Sequence, residues 1–387
     1  PIVDEPVMRL ALGVLDKLSA GDGSGAVEDY ARLFYALRSA GSRSLGEWLD
    51  GRLRDRESPY AALVERGGED PALEAAARRD IETFTLLAEL DWDQVLAEVG
   101  GKAPREYGPV LANLPRWRGS SPFSFAELTE FYRANGAGLF ARHRAFLWED
   151  GALCPVEQPD CPGADEMLGY ELQRNRVIAN TRAMLEGNLV NNVLLYGDSG
   201  TGKSATVKNL LTLPGFEALR LIEVQKEGLA DLPRLIRTLG GRRLKFILFI
   251  DDLAFDQDDK TYSALKTILE GGLERRPANV AVYATSNRRR LVRQTFSDRA
   301  GDEVDASETI QEKTSLSDRF GLRIPYLALN QAEFLELVEG MAEQAGIALD
   351  RDSLRAEAVK WEMRNPGRTP RTAKQFIASL SVRRGQI

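Results

Sequence analysis

The stretch that most constrains this chain is Gly197-Asp-Ser-Gly-Thr-Gly-Lys203-Ser204, with the apolar run Val193-Leu-Leu-Tyr196 before it and the helix-forming Ala205–Leu211 after it. Gly197, Gly200 and Gly202 let the backbone curl, so that successive N–H groups face phosphate oxygens at the start of the following helix. The spacing G-x-x-x-x-G-K-S sets the Lys203 ammonium on the β- and γ-phosphates and the Ser204 hydroxyl on Mg²⁺. Asp198, Ser199 and Thr201 complete the loop and are expected to touch the nucleotide. Strand, loop and helix in this order belong to an open parallel sheet, whose ligands lie at the carboxyl ends of its strands.

The rest of the C-terminal half agrees. Short apolar runs at Asn192–Tyr196, Leu219–Val224, Lys245–Ile250, Val280–Thr285 and Leu322–Tyr326 alternate with helical or loop segments, the pattern of an α/β sheet covered on both faces. From Gln331 onward only helical patterns remain. Before residue 151 the chain reads as all-α, with stripes such as Val7, Leu10, Ala11, Val14, Leu15 and Leu18, or Val27, Tyr30, Ala31, Phe34 and Leu37. Its last stripe, Phe125, Leu128, Phe131 and Tyr132, is extended by Phe140, Phe146, Leu147 and Trp148. The Pro-rich Cys154–Gly163 stretch reads as a linker; its two cysteines have a single histidine in the chain, His143, to join them, so a zinc set is not evident. The expected organisation is a helical domain over 1–151, a linker over 152–165, an α/β nucleotide-binding subdomain over 166–328 and a helical lid over 329–387.

Three further clusters carry chemistry. Lys245-Phe-Ile-Leu-Phe-Ile-Asp251-Asp252 delivers two carboxylates to a strand end, Asp251 to hold Mg²⁺ and Asp252 to polarise the attacking water. Val280-Ala-Val-Tyr-Ala-Thr-Ser286-Asn287 ends the next strand in an amide that can orient that water. Leu316-Ser-Asp318-Arg319-Phe320 offers Arg319 to the phosphates of a neighbouring subunit, the plain alternative being an internal Asp318–Arg319 pair. In Gly367-Arg368-Thr-Pro-Arg371, a turn into a helix, Arg371 or, alternatively, Arg368 can swing onto the nucleotide from the lid.

In this order the motifs resemble those of the AAA+ ATPases from about Asp165 to the C-terminus. Asn191-Asn-Val-Leu-Leu-Tyr-Gly197, Tyr262-Ser-Ala-Leu-Lys266, Leu269-Glu-Gly-Gly-Leu-Glu274, Tyr283-Ala-Thr-Ser-Asn-Arg-Arg289 and Leu316–Gly321 are similar to a bacterial family known as domain of unknown function 815, related to helicase-loader and initiator ATPases. The resemblance implies a five-stranded parallel sheet sandwiched by helices, a C-terminal helical lid, ATP/ADP and Mg²⁺ as ligands, and assembly into a ring or filament. It implies Lys203, Ser204 and Asp251 at phosphate and metal, Asn287 as a first sensor, Arg319 as a finger and Arg371 as a second sensor. Tyr170, in Leu168-Gly-Tyr170-Glu171, stands where such proteins pack adenine. One departure is Asp251-Asp252 where active relatives carry Asp-Glu; the shorter carboxylate implies slow hydrolysis.

A net charge of −7 argues against broad nucleic-acid or membrane binding, and two cysteines in 387 residues fit a reducing cytoplasm. The first segment carries acidic residues ahead of its apolar stretch, unlike a secretory signal. Arg288-Arg-Arg-Leu-Val-Arg293 is the obvious basic run, but no aromatics interleave with it, which favours a solvated or intersubunit face over nucleic acid. Residues 297–313, rich in Asp and Glu, read as a loop without a core. The function expected is an ATPase that remodels a protein or nucleoprotein partner, the alternative a slow ATP-dependent switch, scaffold or loader-like DNA-associated factor.

Overall fold

The computed structural model describes residues 2–117, 119–254, 265, 266, 268, 269, 276–287, 316–365 and 367–384, with the backbone alone at 383 and 384. Arg288–Arg293, residues 297–313 and parts of the 262–274 stretches therefore lie outside the described residues. The chain divides into two compact units, Pro1–Arg142 and His143–Ile387.

The first unit is helical: α1 (Pro6–Ser19), α2 (Gly23–Ser39), α3 (Leu45–Asp55), α4 (Pro59–Arg66), α5 (Pro71–Glu89), α6 (Trp92–Lys102), α7 (Gly108–Asn113), α8 (Phe125–Asn135) and α9 (Leu139–Arg142). Short polar residues set the starts. Ser44, Ser58, Asp70 and Ser124 each accept a backbone N–H of the first turn, and Pro59 and Pro71 occupy positions that need no donor. The apolar stripes face one another, with Val7, Ala11 and Val14 buried beside Tyr30, Leu33 and Leu37. Tyr30 stacks on Trp117 at 5.0 Å and donates its hydroxyl to the Pro115 carbonyl at 2.9 Å, so this buried phenol is satisfied.

The second unit is built on a seven-stranded sheet of order β2-β1-β4-β5-β6-β3-β7. The five expected strands are present as β3 (Val193–Gly197), β4 (Leu219–Val224), β5 (Lys245–Ile250), β6 (Val280–Ser286) and β7 (Leu322–Tyr326), all parallel. Phe246 to Ile250 are all buried, because helices on both faces leave a central parallel strand no solvent side. α10 (Glu171–Leu185), α11 (Lys203–Asn209) and α12 (Leu232–Leu239) belong to this layer. The lid helices α13 (Gln331–Gln344), α14 (Arg351–Arg364) and α15 (Pro370–Arg384) have their own core around Phe334, Val338, Ala358 and Phe376. No described helix is long and apolar enough to cross a membrane.

Two expectations need correction. Phe146, Leu147 and Trp148 do not extend a helical stripe; they form β1 (Ala145–Glu149), parallel to β4. Ala152–Pro155, expected as linker, is β2, antiparallel to β1. The unit boundary accordingly falls at 142/143 rather than at 151. The cause is the Asp150-Gly151 turn between Glu149 and its partner Ala152: both turn residues have positive φ, 49° and 74°, the two-residue hairpin that matches strand twist. Phe146 and Trp148, two apart, share one face of β1 and are both buried, the period of a strand and not of a helix.

In a chain spanning 143–387, Trp148→Ala is expected to cost about 3–5 kcal/mol in denaturant unfolding, the loss typical of a buried large aromatic. A cost below about 1 kcal/mol, the range of surface substitutions, would mean that β1 is not integral to this unit.

Candidate nucleotide-binding site

The sheet order decides which strand ends meet. β6 lies between β3 and β5, so the loop after β3, the two acids after β5 and the amide after β6 converge at one carboxyl edge. Gly197, at φ 139°, passes so close to β7 that a Cβ there would stand 2.1 Å from the Tyr326 carbonyl oxygen. The loop is further tied to β7 through Asp198, whose N–H donates to Tyr326 O at 2.9 Å and whose carboxylate accepts from the Ala328 N–H at 2.7 Å.

Lys203 is the centre of the cluster. Its ammonium donates to the Gly197 carbonyl at 3.1 Å, the Asp198 carbonyl at 2.7 Å and Asn287 Oδ1 at 2.9 Å. Burial holds its pKa below the usual lysine value, against the opposing pull of Asp252, Asp198 and Asp251. Asn287 turns its other end to Asp252, donating from Nδ2 to Oδ1 at 2.8 Å, so one amide bridges cation and carboxylate. Asp251 Oδ1 accepts from Ser204 Oγ at 2.6 Å and from the Thr285 hydroxyl. Asp252 sits in left-handed backbone, φ 49°, a conformation that aspartate tolerates better than most residues.

These groups line a cleft of about 650 Å³ that also takes in Glu166, Leu168, Tyr170 and Met341. Its size and its apolar floor with a few convergent polar groups suit a mononucleotide. Tyr170 reaches it as part of a stack: its ring lies on Tyr326 at 5.1 Å, its hydroxyl donates to Leu327 O at 2.6 Å, and burial pushes its pKa up. Tyr326 in turn shares a 2.9 Å hydrogen bond with Thr206 of α11.

Of the two lid arginines, the structure brings only Arg371 to the loop. Its N–H donates to Gly200 O at 3.2 Å and its guanidinium approaches Ser199 Oγ at 3.4 Å. A Cβ at Gly200, φ 78°, would stand 3.0 Å from Arg371 Cβ, a tight contact in a backbone conformation that favours glycine. Arg368 instead pairs with Glu362 at 2.8 Å. Arg319 is exposed on the turn before β7 and does not line the cleft. Asp318 forms its ion pair with Arg323 at 2.6 Å. Sequence reasoning gave no role to Thr285 or Lys374, both of which line the cleft; strand alternation, which puts Thr285 on the same side as Asn287, is the signal that could have found the first.

Ser204 and Asp251 offer hard oxygen donors side by side, the donor set that Mg²⁺ takes when phosphates complete its sphere. A glycine-rich loop ahead of a helix, an acid pair and an amide at neighbouring strand ends, and a C-terminal set of helices make an α/β arrangement that resembles the AAA+ module. The family described as protein of unknown function (DUF815) matches residues 141–384, and the chain belongs to it. No curated protein matches the chain. Among solved structures it is similar to the Thermotoga maritima RuvB Holliday junction branch migration motor, at 17% identity and TM-score 0.36 over 57% of this chain and 63% of that one. The Aeropyrum pernix ORC1 protein, solved in complex with DNA, is similar at 17% identity and TM-score 0.40 over 57% and 62%. The chain thus spans less than two thirds of either.

The two lid arginines should separate by substitution. Arg371→Ala is expected to weaken nucleotide binding about tenfold, or about 1.4 kcal/mol, in a titration with a fluorescent ATP analogue, while Arg368→Ala leaves it within about twofold. Equal losses would remove the distinction drawn from their contacts.

Proposed function

We propose that this protein binds Mg·ATP in the cleft and hydrolyses it, in an assembly where Arg319 of one copy serves the site of another. The single observation that carries this reading is the joining of Lys203, Asn287 and Asp252 into one hydrogen-bonded chain beside the Asp251–Ser204 pair. A cation for the phosphates, a carboxylate for a water proton and an amide between them are the parts that phosphoryl transfer to water needs.

In this scheme the loop N–H groups and Lys203 fix the β- and γ-phosphates and offset their charge. Mg²⁺, held by Ser204 and Asp251, would add Lewis-acid stabilisation at the same oxygens. Asp252 accepts the proton of the attacking water, and Asn287 keeps that carboxylate and the Lys203 ammonium in register. Arg371 closes on the phosphates from the lid, and Tyr170 with Leu168 and Met341 encloses the base. An exposed Arg319 outside its own cleft is what a finger acting on a neighbour requires. The helical unit before residue 143 is assigned the contact with a protein or nucleoprotein partner.

A second reading, a slow switch in which ATP binding rather than turnover carries the signal, is favoured by Asp252. Its carboxylate is one methylene shorter than glutamate and already engaged by Asn287. Turnover measured over a range of protein concentrations separates the two. The motor reading expects a specific activity that rises with concentration and falls by about 10³ in Arg319→Ala, the scale of a lost finger. Tight ATP binding with negligible turnover at every concentration would leave the switch.

A further inference from the structure

Thr285 is fully buried at the end of β6, and it touches three consecutive residues of the acidic segment. Its hydroxyl accepts the Asp252 N–H at 2.9 Å. The same hydroxyl gives its one proton to Asp251 Oδ1. Its carbonyl accepts the Leu253 N–H at 2.7 Å. The parallel ladder between β5 and β6 is in register to Ile250 opposite Ala284, so Thr285 continues the pairing beyond it partly with a side chain. That matters because the chain turns left-handed at Asp252 and its N–H leaves the regular ladder. A hydroxyl is suited to the place, since it can accept from one neighbour and donate to the next in the same geometry.

We infer that Thr285 is the positioning residue of the acidic pair: one hydroxyl couples the orientation of the Asp251 carboxylate to the backbone turn that aims Asp252. The inference rests on the ATPase reading of the site and adds to it a group that acts through the two acids. Valine has the shape of threonine but would leave the Asp252 N–H without its acceptor and Asp251 without one of its two hydroxyl donors. Both acids would then sample orientations that the hydroxyl forbids, and the effect would appear where both are in use, with Mg²⁺ present.

The test uses the full-length protein as wild type, Thr285→Val, Thr285→Ser and Lys203→Ala, with a fluorescent ATP analogue titrated in Mg²⁺ and in EDTA, steady-state turnover and melting temperature. Thr285→Val is expected to lose about tenfold of the Mg²⁺ enhancement of binding while affinity in EDTA stays within about twofold. Turnover in that variant falls on the order of 10², the scale of a misplaced catalytic group. Thr285→Ser restores both to within about threefold, since the hydroxyl is kept. Thr285→Ala, without the added bulk of a second methyl, carries the same expectation as valine should the valine variant not fold. The inference is overturned if Thr285→Val keeps the Mg²⁺ enhancement while Lys203→Ala abolishes binding, or if Thr285→Ser loses as much as valine and so points to packing. Wild type and Lys203→Ala binding alike would instead overturn the nucleotide reading, and the role of Thr285 with it.

Discussion

A lysine ammonium held largely out of water is costly unless its donors are met and its charge is faced. At Lys203 the sequence meets that demand from three directions: two carbonyls of its own loop, an amide from β6 and carboxylates from β5. Each source depends on a different part of the fold. The carbonyls belong to a loop that Gly197 lets press against β7, the amide depends on β6 lying next to β3, and the carboxylates on β5 lying next to β6. Displacing any of these strands would leave a buried cation underpaired, so the cluster both reports the strand order and is stabilised by it.

The same loop is fastened to the lid. Asp198 holds the chain where it leaves β7 for α13, and Gly200 accepts from Arg371 at the start of α15. The loop thereby contacts the C-terminal helical segment at two places, ahead of α13 and at the start of α15. Tyr170, Tyr326 and Thr206 add a third connection, from the Tyr170 side of the cleft through β7 to α11.

Much of this was legible in the sequence. The loop, the Asp251-Asp252 strand end and Asn287 stand at the ends of apolar runs whose length and composition mark buried parallel strands, so both the fold and the centre of the cleft could be read locally. What was not read has local causes of other kinds. The hairpin of β1 and β2 is announced by Asp150-Gly151, but Phe140 and Leu147 stand seven apart, which also fits a helical face, and periodicity over so short a run does not decide. The choice between Arg368 and Arg371 depends on Glu362, a partner from the preceding helix that spacing in the turn does not reveal. Thr285 acquires its role only through the register of β6 against β5, a tertiary fact.

The proposed site is completed between copies, with Lys203 acting in its own cleft and Arg319 in a neighbour's. Its most direct test mixes two inactive variants, Lys203→Ala with Arg319→Ala, and measures ATP turnover of the mixture against each alone. Recovery of turnover in the mixture is the expected result, because an intact cleft then meets an intact finger from another chain. A mixture as inactive as its parents, beside an active wild type, would contradict a site completed in trans.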